Sequence, residues 1–165
     1  MDRARRRGGL LLWSIAAAVL VVDRLTKLWA EHALTQPRDL IDGVVTLRFT
    51  TNSGGAFSLG DRAPLVFAIA AIVVCGAIVA TSFRARPTLQ AVALGLILGG
   101  ATGNLLDRIL RGPGLSGRVV DFIDLHVWPV FNVADASIVV GAFLLAFAAL
   151  REGGRGQRRG DATHD

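Results

Sequence analysis

The sequence predicts an all-α polytopic membrane protein: four transmembrane helices, a small extracytoplasmic β-hairpin or sheet, and a second outer loop. Three observations predict it. The chain of 165 residues is 52% hydrophobic and only 19% charged, with a mean hydropathy of +0.51, which points away from the soluble class. Its charges leave four long gaps, and its arginines crowd the segments between alternate gaps. The length accommodates one compact domain. Cys75 is the only cysteine, which excludes an internal disulfide framework, a zinc ribbon and a thioredoxin-type site.

The elements follow in order. Gly8–Val22 is uncharged for 15 residues, too short for a hydrocarbon core of ~30 Å at 1.5 Å per residue. The first helix must therefore continue past Asp23, Arg24 and Lys27 to Trp29, giving a span of about 10–29. Arg3, Arg5, Arg6 and Arg7 ahead of an apolar stretch also resemble a signal peptide, but no polar, small-residue cleavage region follows. An outer loop covers 31–62. Within it Val45, Leu47 and Phe49 alternate with Thr46, Arg48 and Thr50, the period of a half-buried strand, and Asn52-Ser-Gly-Gly55 supplies a turn. Ala63–Phe83 and Pro87–Leu106 are uncharged over 21 and 20 residues and span outright, as helices over 63–83 and 88–107. A second outer loop takes 108–130. The last helix, 131–150, must accept one charge, Asp135. The membrane unit is thus 1–152, and the Gly/Arg tail 153–165 is expected to be disordered and cytoplasmic.

Net charge is +5, and seventeen of the eighteen basic residues are Arg. Ten of them lie in the N-terminus, the Arg84–Pro87 turn and the tail; six lie in the two longer loops. That bias places both termini in the cytoplasm. Trp13 near one face, and Trp29 and Trp128 near the other, suit interfacial belts. The basic character therefore reads as orientation, and no nucleic-acid partner is expected.

The chemistry gathers at the outer helix ends. Asp23 and Lys27 are four apart on one face. Asn104, Asp107 and Arg108 share a face at the end of the third helix. Asp121 sits in the apolar run Val-Val-Asp-Phe-Ile, and Asp135 follows Phe131-Asn-Val-Ala. Ionisable groups at membrane depth are costly and face a protein interior or a wet cavity. Bland readings stand beside this one: a helix-end ion pair for Asp23 and Lys27, loop ordering for Asp107, a turn for Asn52, and helix capping for Asn132. Serine–lysine chemistry is disfavoured, because Ser14 is about 20 Å down the helix from Lys27, and Ser53, Ser58, Ser116 and Ser137, although conceivable, have no recognisable neighbouring pattern. Cys75 lies mid-helix in apolar surroundings, and His32, His126 and His164 are too scattered for a metal cluster. Carboxylates remain. Two close carboxylates cannot both ionise easily, so one keeps a proton while the other activates water.

The stretches Asp23-Arg-Leu-Thr-Lys27, Thr51-Asn-Ser-Gly-Gly-Ala-Phe57, Gly99-Gly-Ala-Thr-Gly-Asn-Leu-Leu-Asp-Arg108, Val119-Val-Asp-Phe-Ile123 and Phe131-Asn-Val-Ala-Asp135 resemble, in order and helix layout, the signal peptidase II family. Each is weak alone; the five together are specific. Arg24 departs from the common Gln, and Ser53-Gly54 is a variant, but neither touches the matched carboxylates. The resemblance implies an aspartic endopeptidase of the bacterial inner membrane, removing signal peptides from prolipoproteins just before a diacylglyceryl-modified cysteine. Asp121 and Asp135 match the catalytic pair. Asp23, Asn52, Asn104, Arg108 and Asn132 match positions that line the site or contact substrate, and Lys27 joins them as a substrate-binding candidate. No metal and no cofactor are expected. The partners are diacylglyceryl-prolipoproteins and membrane lipid, with the enzyme a monomer.

Two rivals come from other classes. A proton-coupled transporter would place polar groups through the bilayer depth, whereas helices two and three are almost purely apolar. A non-catalytic assembly subunit leaves Asp121 and Asp135 unexplained. Counting about 15 residues from the inner helix ends puts Asp23 and Asp135 roughly 22 Å up, inside the outer edge of the hydrocarbon. At that depth Phe57 and the Val45-Leu47-Phe49 face are expected to press on a bound lipid chain.

Overall fold

The computed structural model describes residues 2–53, 63–84 and 86–161. The elements run α1 (Asp2–Ala33), β1 (Arg38–Ile41), β2 (Val45–Asn52), α2 (Ala63–Thr81), α3 (Thr88–Leu110), β3 (Val119–Asp124) and α4 (Val133–Asp161). All four helices are long and apolar enough to cross a membrane, over Arg7–Ala33, Pro64–Thr81, Thr88–Leu110 and Val133–Arg151. The expected Gly54–Arg62 part of the outer loop, with Phe57, lies outside the described residues.

Two helices outrun their expected bounds. The N-terminal arginines belong to α1, which starts at Asp2, and α4 continues to Asp161 where disorder was expected from 153. Once a helix is nucleated, each added residue brings a hydrogen bond, so both helices extend past their apolar spans.

Helix α3 is the central post. Half of its spanning segment is buried, against 17% for α2 and for α4. Its glycines explain why. A Cβ on Gly95 would sit 2.7 Å from Leu12 O, and one on Gly99 2.7 Å from Ala16 O, so α1 runs parallel to α3 at backbone contact. Gly100 abuts Ala134 while Gly141 abuts Ala93, which sets α4 antiparallel on another side of α3. Small residues let helices approach this closely where lipid offers no hydrophobic drive to associate. Leu12, Ala16, Ile78, Ala91 and Leu98 form the apolar core at the end of the bundle that carries the chain termini. Val66, Ile69, Val73, Val139 and Phe143 stay exposed on the flanks of α2 and α4, the surface lipid would cover.

At the opposite end sits a three-stranded antiparallel sheet, ordered β1-β2-β3. The alternating segment is β2, as expected, but its neighbour β3 comes from the second outer loop, which the sequence reading left without a strand. Val119-Val-Asp-Phe-Ile-Asp124 is a β-branched apolar run short enough for a buried strand. Strict alternation also fails in β2. Leu47 pairs with Ile123 but Thr50 with Asp121, so one extra residue bulges out. The bulge turns Thr50 and Asn52 onto the face of β3 that carries Asp121, while Thr46 faces Asp124 and Phe49 is left exposed. Leu47, Ile123 and Val133 pack on Ala30, Leu34 and Phe122, and Trp29 meets Phe122 edge-on, which seats the sheet against the end of α1.

The close α1–α3 contact gives a direct test. Gly99→Ala drives a methyl into both Ala16 O and Val19 Cβ and is expected to cost about 1–3 kcal/mol. The readout is a lower Tm in detergent; an unchanged Tm would show that the two helices separate freely.

Candidate active site

The site begins with Lys27, whose side chain is completely buried. Its ammonium lies 2.8 Å from Asp23 Oδ2, 2.9 Å from Asp107 Oδ2 and 3.0 Å from Asn104 Oδ1. An ammonium has three hydrogens, and each has an acceptor. Asp23 approaches α3 only because residue 103 is glycine: a Cβ there would meet Asp23 Oδ2 at 2.5 Å.

Each partner of Lys27 then holds another element. Asp23 Oδ1 accepts the Ala134 backbone N–H at 3.0 Å, fixing the start of α4. Asp107 Oδ2 accepts the Val120 N–H at 3.2 Å, fixing β3. Asp107 Oδ1 faces Arg111 Nε at 3.1 Å and Arg24 Nη1 at 3.4 Å, and Arg111 pairs with Glu31 in turn. Asp107 does order the loop, as expected of an acid at a helix end, but it does so from full burial. Asn104 passes the link onward, donating from Nδ2 to Asp135 Oδ1 at 2.7 Å.

Asn132 joins the two remaining carboxylates. It precedes α4 as its N-cap, and its Oδ1 accepts the Asp135 N–H at 2.9 Å while Asp135 Oδ2 accepts the Asn132 N–H at 3.2 Å. This is a reciprocal capping box with Asp in the third helical position. Capping therefore accounts for part of Asp135's place in the first turn of α4. Meanwhile Asn132 Nδ2 donates to Asp121 Oδ1 at 2.7 Å and lies near Val120 O and Asn104 Oδ1. Asn52, turned inward by the bulge, also hydrogen-bonds Asp121. Burial and then the charge of Asp135 push the Asp121 carboxyl up to about 6, against the hydrogen bonds from Asn132 and Asn52 and the charge of Lys27.

Arg108 is buried on the same face. It donates to Asn104 O at 3.1 Å and lies 5.9 Å over the Phe67 ring, and among the described residues its Nε has no hydrogen-bond partner. All eight residues singled out from the sequence thus meet at one end of the bundle. They differ in their surroundings: Asp23 and Lys27 are enclosed by the protein, whereas Asn52, Asn104, Arg108, Asp121 and Asp135 line cavities. One cavity of about 300 Å³ lies between α2, α3 and α4 and reaches Asn104, Arg108 and Asp135. A second of about 340 Å³, between α4 and the Leu125–Phe131 loop, also reaches Asp135. A third of about 280 Å³ is polar, lined by Thr50, Asn52, Pro129 and Asp121. No group of three metal-ligating side chains is gathered among the described residues.

What the sequence reading missed is the backbone's part: the N–H groups of Val120 and Ala134, and the outer-face cluster of Thr46, Arg48, Asp124 and His126. Only the β-branched run at 119–124 signalled that β3, and with it this cluster, exists.

Removing one member of a buried ion pair strands its partner's charge, at about 3–5 kcal/mol. Lys27→Met leaves Asp23 and Asp107 facing each other and is expected to lose stability by that amount, measured as Tm in detergent. A shift no larger than that of a surface lysine would refute the anchoring role.

A family model described as signal peptidase (SPase) II matches residues 15–151. The chain is 47% identical to a lipoprotein signal peptidase of Mycolicibacterium smegmatis over 143 residues, 85% of this chain and 61% of that one. It is 46% identical to that of Mycobacterium avium over 152 residues, 90% and 83% of the two chains. With that of Syntrophomonas wolfei it shares 40% over 149 residues, 88% and 97%. Two bacterial membrane enzymes solved by the in meso method superpose with TM-scores of 0.74 and 0.71 at 28% and 29% identity. They match 86% and 82% of this chain, and 88% and 90% of their own. With its four spanning helices, its outer sheet and this set of side chains, the chain belongs to the signal peptidase II family.

Proposed function

We propose that the chain is an intramembrane aspartic endopeptidase. It removes signal peptides from diacylglyceryl-modified prolipoproteins of the bacterial inner membrane, cutting on the N-terminal side of the lipidated cysteine. Both termini face the cytoplasm, and the site lies near the outer face. One observation carries the catalytic part: carboxylates from two separate elements, β3 and α4, meet at one fully buried residue, Asn132, beside three cavities.

Asp135 and Asp121 take unequal roles. Both oxygens of Asp135 accept N–H groups, the arrangement of an ionised carboxylate, so it serves as the base toward water. Asp121, the carboxyl pushed up to about 6, holds the proton. Asp135 takes a proton from water as its oxygen attacks the scissile carbonyl carbon, and Asp121 gives its proton to the carbonyl oxygen. The diol then collapses: the C–N bond breaks, Asp135 protonates the leaving amine, and a diol proton returns to Asp121. Arg108 and Asn52 line the cavities beside the dyad and serve to hydrogen-bond the substrate backbone. Asn104 and Asn132 hold the two carboxylates, Lys27 holds Asn104, and Asp23 holds Lys27 and the start of α4 rather than the substrate.

Asp121→Asn and Asp135→Asn are each expected to abolish cleavage while the protein still folds, because either removes the shared-proton chemistry; full activity in one would remove it from the pair. The wild-type profile of kcat/KM should fall as pH rises through about 6, as the dyad loses its proton. A carboxyl raised in the folded state favours folding at low pH, so stability should also fall as pH rises from ~4 to ~6 and then level off. Tm measured across that range in wild type but not in Asp121→Asn checks the sign. Cleavage should survive EDTA; a loss restored by a divalent ion would favour a metallohydrolase.

The lipid matters through position. The diacylglyceryl group already resides in the bilayer, so its main gain is to fix the scissile bond at the depth of the carboxylates. A prolipoprotein with unmodified cysteine is expected to be cut at least about a hundredfold slower, ~2.7 kcal/mol of barrier. Equal rates on both substrates in one detergent would show that the lipid is not read.

A further inference from the structure

His126 has no part in the chemistry above, yet it is the one non-glycine residue among those described with positive φ, at 60°. That region is rare for a side chain of this size, and a residue stays there only when its surroundings fix it. The surroundings are polar and specific. The His126 N–H donates to Asp124 Oδ1 at 2.8 Å, and its Nε2 lies 2.9 Å from Thr46 Oγ1. Thr46 gives its single hydroxyl hydrogen to Asp39 Oδ1, so the imidazole is the donor and carries its proton on Nε2. Arg48 holds the other oxygen of Asp124 at 2.6 Å. The ring is thus latched to the outer face of the sheet.

The latched loop has consequences at the site. Immediately after His126 the chain turns back, with the Val127 N–H on Leu125 O at 2.7 Å and the Phe131 N–H on Ile123 O at 3.0 Å. Leu125, Trp128 and Phe131 then wall the cavity that reaches Asp135, while Pro129 and Val130 wall the polar cavity that reaches Asp121. One short segment therefore shapes both approaches to the dyad, and Val127 and Trp128 at its tip are 90% and 68% exposed, so little burial orders it.

We propose that His126 is a positioning residue for substrate capture: its bond to Thr46 and its left-handed backbone hold the Leu125–Phe131 loop as the shared wall of the two substrate cavities. The substrate half of this inference rests on the peptidase reading. Without the latch the loop disorders, the walls lose their shape, and binding weakens before chemistry does.

Three variants test it in the full-length protein in detergent: Thr46→Val, which is nearly isosteric and leaves the His126 backbone alone; His126→Ala, which removes the donor and strains the backbone; and His126→Asn, whose short amide tolerates the left-handed region. Hydrogen exchange across 125–131 and the kinetics on a lipidated prolipoprotein are read together. In Thr46→Val and His126→Ala, exchange of that segment should quicken about tenfold or more, and KM should rise about fivefold or more with kcat within about twofold. His126→Asn should recover part of both. Unchanged exchange in Thr46→Val and His126→Ala overturns the latch. Faster exchange with unchanged KM, or a fall in kcat alone, overturns its role in capture. Should wild type fail to cleave, the peptidase reading falls, and the exchange data still decide whether His126 orders the loop.

Discussion

Lys27 has no contact with water and three hydrogens, and all three go to side chains whose other atoms hold a different element. Through Asp23 the ammonium fixes α4, through Asp107 it fixes β3, and through Asn104 it reaches Asp135. Burying an isolated charge costs several kcal/mol, so such a cluster persists only when it is balanced and saturated. Here Arg24, Lys27 and Arg111 face Asp23, Glu31 and Asp107, three cations against three anions. The network adds little net stability over an apolar core of the same shape. Its value is geometric, because it has one arrangement in which every donor finds an acceptor.

That geometry is what a pair of carboxylates at membrane depth requires. Asp121 and Asp135 sit on elements that no short loop aligns: a strand of the outer sheet and the first turn of the last helix. Asn132 spans them, bonding one carboxylate through its amide and the other through its backbone and cap. The residue that starts α4 is therefore also the one that sets the spacing of the pair. Capping does not close off Asp135, since its oxygens at a helix start are held by N–H groups while the residue still borders two cavities.

The two ends of the bundle divide the labour. At the end bearing the termini, glycine contacts bring α1 and α4 to the backbone of α3 and apolar side chains fill the remainder. At the other end polar side chains replace them. The first arrangement tolerates lipid on every outer flank, and the second needs the sheet above it. β3 closes the site from outside and delivers Asp121, and the bulge in β2 brings Asn52 to the same face. Helix α2 touches mainly α3 and leaves beside it the cavity into which Arg108 looks.

By itself the sequence determined the four spans, because a run of twenty apolar residues has few other places to go, and it located β2 from its alternating residues, though not the bulge that interrupts the alternation. It also placed the helix-borne polar residues of the site at one level, since helical spacing and distance from the helix ends suffice for that, whereas Asn52 was reached only through the family resemblance. The ends of α1 and α4 and the strand β3 escaped it: helix ends fray or persist by small energies, and a buried strand with both faces covered has no alternation to show. Which polar residues stay free was likewise decided only in three dimensions. Asp23 and Lys27 look identical in pattern to groups that meet a substrate, and only their packing against Gly103, Ala134, Asn104 and Asp107 shows that their hydrogen bonds are already spent. The physical reason is that a one-dimensional pattern reports which face a residue is on, whereas saturation of a donor depends on partners up to 111 positions away.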